Sequence, residues 1–180
     1  MSSRRQWYGL WAGSLALAGM ALLLACRDLR WNYSHSMPPG LWRFVDPRFD
    51  PARGRGQVVL FCPPRTAVFE EAKARGYIPF GRCAGGLAPL LKPVVALPGD
   101  RVEIGAEVWV NGVVVAGSDR LVRDRQGRAM PVPRGGVVPP GYVWVVSIEH
   151  ARSFDSRYFG QVSIARIEGV LEPFWTRSEK

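Results

Sequence analysis

Val108-Trp109-Val110-Asn111-Gly112-Val113-Val114-Val115 decides the fold class of this chain. Two β-branched runs flank Asn-Gly, the pair a two-residue hairpin favours because both central residues must take positive φ. Outward from it, Gln57-Val58-Val59-Leu60-Phe61 and Pro93-Val94-Val95-Ala96-Leu97 are further apolar strands, the second stopped by the turn formers Pro98-Gly99-Asp100. Pro139-Pro140-Gly141 turns into Tyr142-Val143-Trp144-Val145-Val146, and residues 161–167 read as a late strand with alternating faces. One short helix is expected from Phe69 to Gly76. The 20 glycines and 15 prolines agree with many turns and short strands. The chain is therefore predicted to be mainly β, an antiparallel, barrel-like sheet. Trp109, Trp144, Phe61 and several valines are its expected core, and a domain of about 150 residues can bury one.

The N-terminal region reads differently. Between Gln6 and Cys26 there is no charged residue. About 20 residues at roughly 1.5 Å each cross a hydrocarbon layer of about 30 Å. The domain plan is a cytoplasmic tail at 1–5, a transmembrane helix at 6–26 and a domain at 27–180 on the far side. Trp7, Tyr8, Trp31 and Tyr33 suit the membrane interfaces. Arg4 and Arg5 precede the span and Arg27 and Arg30 follow it, so charge alone does not orient it. Two other readings stay open: a cleaved signal peptide, and a lipoprotein signal in Leu23-Leu24-Ala25-Cys26 that would lipidate Cys26.

Cys62 and Cys83 flank a charged, turn-rich insert at 63–82. A bridge between them would close a surface loop and contribute about 3 kcal/mol on the loop-entropy model. The other reading is two free thiols in strands. The bridge is the expectation, and it would put the domain in an oxidising compartment, outside the cytoplasm. A formal charge of +9 fits solubility or contact with anionic lipid. The arginines are spread thinly, without a compact cluster interleaved with aromatics, so no nucleic-acid partner is expected. With 47% hydrophobic and 22% charged residues the chain is too apolar for disorder.

Among 24 basic residues only Lys73, Lys92 and Lys180 are lysines. Arginine stays charged in proteins, whereas a buried lysine can lose its proton. Lys92 lies in the apolar run Leu90-Leu91-Lys92-Pro93-Val94-Val95-Ala96-Leu97, where a neutral amine is attainable. A neutral amine can activate a serine hydroxyl, as in a Ser-Lys dyad. Ser34-His35-Ser36-Met37-Pro38 offers the hydroxyl. His35 is adjacent to Ser36 and would point away from it in an extended chain; spacing alone leaves His150 open as a base. Asp155 and Arg157 lie two apart in Ser153-Phe154-Asp155-Ser156-Arg157-Tyr158-Phe159-Gly160. In an extended segment they would share a side and pair. Two histidines and three cysteines show no metal-ligand spacing, and Ala84-Gly85-Gly86-Leu87 lacks the spacing of a phosphate loop. No metal or cofactor is expected.

Taken together, Ser36-Met37-Pro38, then Lys92 to Asp100, then Ser153 to Gly160 resemble the signature set of the type I signal peptidases, the membrane-bound Ser-Lys endopeptidases. The order matches, as does an apolar segment ending ten residues before the serine. Within that family the short single-anchor layout resembles the conjugative-transfer branch. So do Met37-Pro38-Pro39-Gly40-Leu41 and the cysteines in Phe61-Cys62-Pro63-Pro64 and Gly81-Arg82-Cys83. The resemblance implies the signal-peptidase fold, Ser36 as nucleophile and Lys92 as general base and later acid. It implies Ser34 as an oxyanion donor beside the Ser36 N–H, Ser153 orienting the amine, and Asp155 with Arg157 as supporting pair. It also implies an exported precursor as substrate, small side chains at the first and third positions before the cut, and the bacterial inner membrane with the catalytic domain in the periplasm. The family usually has Gly-Asp-Asn ahead of the third box. Here that stretch is Ser147-Ile148-Glu149, and Ala96 stands where glycine is common.

Two rivals remain. A self-cleaving repressor shares the dyad but needs a cytoplasmic DNA-binding segment, where this chain has an apolar span. A non-catalytic periplasmic lipoprotein or pilus-assembly β module anchored at Cys26 would need none of the dyad. Diacylated Cys26 in the mass of the N-terminus marks the second.

Overall fold

A computed structural model describes residues 19–20 and 27–177. The expected tail and span at 1–26 lie outside the described residues, except Gly19 and Met20, which are helical. Among the described residues no helix is long and apolar enough to cross a membrane. Twelve strands follow one another among the described residues: β1 Leu29–Asn32, β2 Gly40–Asp46, β3 Val58–Phe61, β4 Phe80–Cys83, β5 Leu90–Ala96, β6 Arg101–Ile104, β7 Val108–Val110, β8 Val113–Val114, β9 Gly136–Val137, β10 Tyr142–Val145, β11 Val162–Ser163 and β12 Ile167–Thr176. Seven form a sheet in the order β1-β2-β12-β3-β5-β10-β11 and four a second sheet in the order β8-β7-β6-β9. Every pairing is antiparallel.

The Asn-Gly hairpin forms as predicted. Asn111 and Gly112 take φ of 54° and 77°, and Val110 pairs with Val113. Its companion turn at Pro98-Gly99-Asp100 is tied to it by one carboxylate. Asp100 accepts from the Leu97 N–H at 2.6 Å, from Asn111 Nδ2 at 2.8 Å and from Arg55. Trp109 departs from the expectation: it is 41% exposed. Strand alternation turns Val108 and Val110 inward and so puts the tryptophan between them on the outer face. Trp144 and Phe61 are in the core as expected. The late strand also differs. Residues Ile164–Arg166 form a 3₁₀ turn that separates β11 from β12.

β5 sits near the middle of the large sheet, between β3 and β10. Pro93 in this strand has no N–H for the ladder, and β10 shifts register between Trp144 and Val145 beside it. Val59, Phe61, Val94, Val143, Val145 and Val170 bury one face of the sheet. Gly40 opens β2 at φ 137°, and a Cβ there would lie 2.3 Å from the Trp175 carbonyl oxygen, so only glycine fits.

Cys62 and Cys83 are disulfide-bonded with Cα atoms 5.5 Å apart. The insert they close carries the helix Ala67–Ala74, near the expected span. Its Phe69 packs against Phe159 and Phe154 at centroid distances of 4.9 Å and 6.4 Å. Burial of one such side chain contributes about 2–3 kcal/mol. The bridge thus holds a buttress against the segment from Ser153 to Phe159. Replacing both cysteines by alanine is expected to cost about 3 kcal/mol, read as a lower urea midpoint. A reductant should lower the midpoint of the parent to that of the double variant and leave the variant unchanged.

Candidate active site

Lys92 is the centre of the site. It pairs with Val59 in the middle of the sheet and is only 3% exposed, which rules out a surface lysine at a strand edge. Its amine donates to Ser153 Oγ at 2.9 Å. Burial lowers its pKa from the usual lysine range to about 8; the Asp155 charge opposes that shift and the Arg157 charge adds to it. The amine therefore exchanges its proton close to neutral pH.

Ser36 lies in the loop between β1 and β2, whose register runs from Leu29↔Arg43 to Asn32↔Gly40. This loop is pinned by a residue the sequence reading passed over. Asn32 Nδ2 donates to the carbonyls of Ser34, Met37 and Pro38 at 3.0, 2.9 and 3.2 Å. Its Oδ1 accepts from Ser34 N at 3.1 Å and from Ser34 Oγ at 2.9 Å. Ser34 Oγ is 3.0 Å from Ser36 Oγ. With the Ser34 proton given to Asn32, Ser36 donates its own proton to Ser34. Trp42 Nε1 donates to the Pro38 carbonyl at 3.0 Å and closes the loop. An Asn two residues before a serine is an Asx-turn signal, and that signal could have identified it.

Ser36 and Lys92 line one cleft of about 680 Å³, with Ser34, Ser153, His35 and His150 also on its walls. No hydrogen bond joins Ser36 Oγ directly to the Lys92 amine; each is held by its own neighbour, Ser34 and Ser153. Catalytic hydrogen bonds are often long in unliganded sites and tighten around substrate. The His35 and His150 rings are 6.5 Å apart, and His150 Nδ1 accepts from the Arg152 N–H at 3.1 Å. His35 thus shares the cleft with Ser36, because the loop is not the extended chain that would turn it away.

Asp155 and Arg157 do pair, but not along an extended segment. Asp155 caps the helical turn Ser156–Phe159, accepting from the Arg157 N–H at 3.2 Å. The two side chains form a two-pronged ion pair, Nε to Oδ1 at 2.8 Å and Nη2 to Oδ2 at 2.7 Å, with neither side chain exposed. Burial works against the charge on Arg157, but the bonds and charge of Asp155 outweigh it and raise its pKa. The remaining donors of Arg157 reach the carbonyls of Asp119, Ser147 and Ser153 at 2.8, 3.0 and 3.3 Å.

Ser147, in the stretch where the family pattern is not followed, connects this pair to Ser36. It is fully buried. Its N–H donates to Asp155 Oδ2 at 3.1 Å and its hydroxyl donates to the Ser36 carbonyl. Ser156 Oγ accepts from Val145 N–H at 2.9 Å, fastening the helical turn to β10. One buried ion pair thus positions both the backbone of Ser36 and the backbone of the residue that holds Lys92.

The nearest approach to a ligand set among the described residues is Cys62, Cys83 and Glu168, whose ligand atoms lie within 4.8 Å of one another. Both sulfurs are bonded to each other, and a disulfide sulfur is not the thiolate a metal takes.

The chain is similar to known proteins in sequence and in structure. A family model described as signal peptidase, peptidase S26, matches residues 5–175. A conjugal transfer protein TraF of Agrobacterium fabrum is 41% identical over 176 residues, 98% of each chain. A plasmid transfer protein TraF of Escherichia coli is 35% identical over 92% of this chain and 95% of its own. Among solved structures, a signal peptidase I from Enterococcus faecalis covers 69% of this chain and 99% of its own at 25% identity. Its TM-score of 0.42 is too low to carry an argument.

Proposed function

This chain belongs to the signal peptidase family, peptidase S26, and on that premise we propose that it is a membrane-anchored serine endopeptidase with a Ser36/Lys92 dyad. The observation that carries the reading is Lys92: a buried amine, held by Ser153 and titrating near neutrality, in the same cleft as the Ser36 hydroxyl. Neutral Lys92 takes the proton of Ser36 as its Oγ attacks the scissile carbonyl. The tetrahedral oxyanion is met by the Ser36 N–H and, once it rotates from Asn32, by the Ser34 hydroxyl. Protonated Lys92 then gives its proton to the leaving amine, and the peptide is left as an ester on Ser36. Water, activated by the same amine, releases the acid. An amine of the substrate could attack in place of water and give a cyclic or transpeptidated product.

The substrate class is an exported precursor with small side chains at the first and third positions before the cut. Relatives named as a conjugal transfer protein and a plasmid transfer protein favour a pilin precursor of a conjugation apparatus. The disulfide fits a periplasmic domain. Exposed Trp31, Tyr33 and Trp175, clustered at 5.9–6.3 Å beside β1, fit contact with inner-membrane lipid.

The full-length chain in detergent, incubated with exported precursors, separates these outcomes by product mass. Two fragments summing to precursor plus water mean hydrolysis. A product lighter by the leaving peptide without added water means cyclisation. Absence of any new product from every precursor sinks the proposal. The rate carries a second check. Activity needs neutral Lys92, so kcat/KM should fall tenfold per unit as pH drops below about 8. A profile level from pH 6 to 9 would show that the amine is not the base (about one decade per unit is the slope for a single proton).

A further inference from the structure

Beside the cleft of Ser36 and Lys92 lies a second depression of about 430 Å³. The two share Tyr77, Arg125, Arg152 and Phe154. Four arginines line the second depression, Arg75, Arg123, Arg125 and Arg152, against one carboxylate, Asp124. That carboxylate is already saturated. Its Oδ1 accepts from the N–H groups of Gln126 and Arg128 at 2.9 and 2.8 Å, and its Oδ2 from Tyr77 Oη and Arg128 Nε at 2.5 and 2.6 Å. It cannot neutralise a further neighbour without giving up a bond. Two of the arginines are committed as well. Arg75 pairs with Glu71 and donates to the Ala129 carbonyl at 2.7 Å, while Arg123 donates to the Gly127 carbonyl at 2.6 Å.

Arg125 and Arg152 are different. Both are exposed, and among the described residues neither guanidinium has a hydrogen bond or an ion pair. They stand where the two depressions meet, on walls they share with Tyr77 and Phe154, whose rings pack together at 5.3 Å. The turn tied by Asp124 fixes the backbone of the segment that carries Arg125. A guanidinium is a planar fork that matches a carboxylate with two parallel bonds.

We propose that Arg125 and Arg152 form a subsite for a carboxylate of the substrate peptide, an acidic side chain close to the bond that is cut. This inference rests on the peptidase reading and adds a specificity to it. The source could instead be anionic lipid, since the same fork binds a phosphate. The peptide is favoured because the two arginines line both the cleft of Ser36 and Lys92 and the second depression that continues it, and no tryptophan lines that second depression.

The test reads binding apart from turnover. Full-length Ser36→Ala in detergent is titrated with fluorescein-labelled peptides that carry small residues at the first and third positions before the bond. One glutamate, glutamine or lysine is walked through the flanking positions, and anisotropy gives Kd. One or two adjacent positions should prefer glutamate to glutamine by about tenfold, the equivalent of one charge-assisted hydrogen bond. Arg125→Gln with Arg152→Gln should abolish the preference, and Arg125→Glu with Arg152→Glu should turn it towards lysine. No glutamate preference at any position, or one that ignores both double variants, overturns the subsite. Flotation with phosphatidylserine vesicles is the third arm. Loss of vesicle binding in the double variants without any peptide preference assigns the arginines to lipid and also overturns it. Parallel cleavage assays with unsubstituted protein keep the two readings separate. A neutral peptide that is cut leaves the peptidase standing whatever the arginines do, and peptides that are never cut count against the peptidase alone.

Discussion

Lys92→Met is expected to give a protein that folds at least as well as its parent and cleaves about 10⁴-fold more slowly, the usual span for losing a positioned base or a nucleophile. Ser36→Ala should match it, and the double variant should be no slower than either, because the two groups act in one step. Methionine fills nearly the same space as lysine without its charge. At pH 7 the parent holds a protonated amine in the interior. Lowering the pKa from 10.5 to about 8 corresponds to about 3 kcal/mol of burial penalty. Ser153 left without its partner returns about 1 kcal/mol of that, so the variant should gain about 2 kcal/mol in urea unfolding at pH 7. The sign fixes a second signature. Below about pH 8 folded and unfolded chains both hold the proton, and the penalty is complete. Between pH 8 and 10.5 only the unfolded chain still holds it, so the parent gains stability as pH rises. The difference between parent and Lys92→Met should therefore shrink towards pH 10. Lys92→Arg should be inactive and less stable than the parent, since arginine keeps its charge. An active Lys92→Met would remove the dyad from consideration.

Asp155→Ala should be the most damaging single change to folding outside the apolar core. It leaves the Arg157 guanidinium charged and dry, a loss of about 3–5 kcal/mol, and it removes the cap of the turn Ser156–Phe159, worth about 1 kcal/mol more. The double change Asp155→Leu with Arg157→Met takes away both charges together and should recover most of that stability. It should recover little activity, because Ser147 and Ser153 then lose the groups that set them. Chemical denaturation read beside kcat/KM distinguishes a fold that fails from a site that is misplaced. Equal stability of the single and double variants would mean that the pair contributes nothing as a charged unit.

The strands were legible because their signals are local. Asn111-Gly112 demands positive φ whatever surrounds it, and valine-rich runs have few other uses. Lys92 stood out because a lysine is rare in this chain and its neighbours are apolar. What escaped notice depends on distant partners. Trp109 reads as a core residue by size, yet its face is chosen by the two valines beside it. The sequence shows Asp155 and Arg157 as a pair but not Asp155 as a cap, because the single helical turn that follows it is too short to leave a periodic pattern. Ser147 carries no signature of its own; only the approach of β10 to the loop after β1 makes it a partner of Ser36. Asn32 did carry one, since its place two residues before Ser34 is where a side-chain turn would start.

The ion pair of Asp155 and Arg157 has a consequence for how precisely Ser36 and Lys92, the nucleophile and base of the proposed dyad, can be kept apart. If the nucleophile and the base hung on separate supports, thermal wandering of each would add to the spread of their separation. Here both trace back to one dry anchor, the serine through Ser147 and the amine through Ser153. Motions of the anchor carry them along in the same direction and cancel from the gap between them. On the proposed mechanism, movement of the anchor would leave the distance for proton transfer from Ser36 to Lys92 largely unchanged.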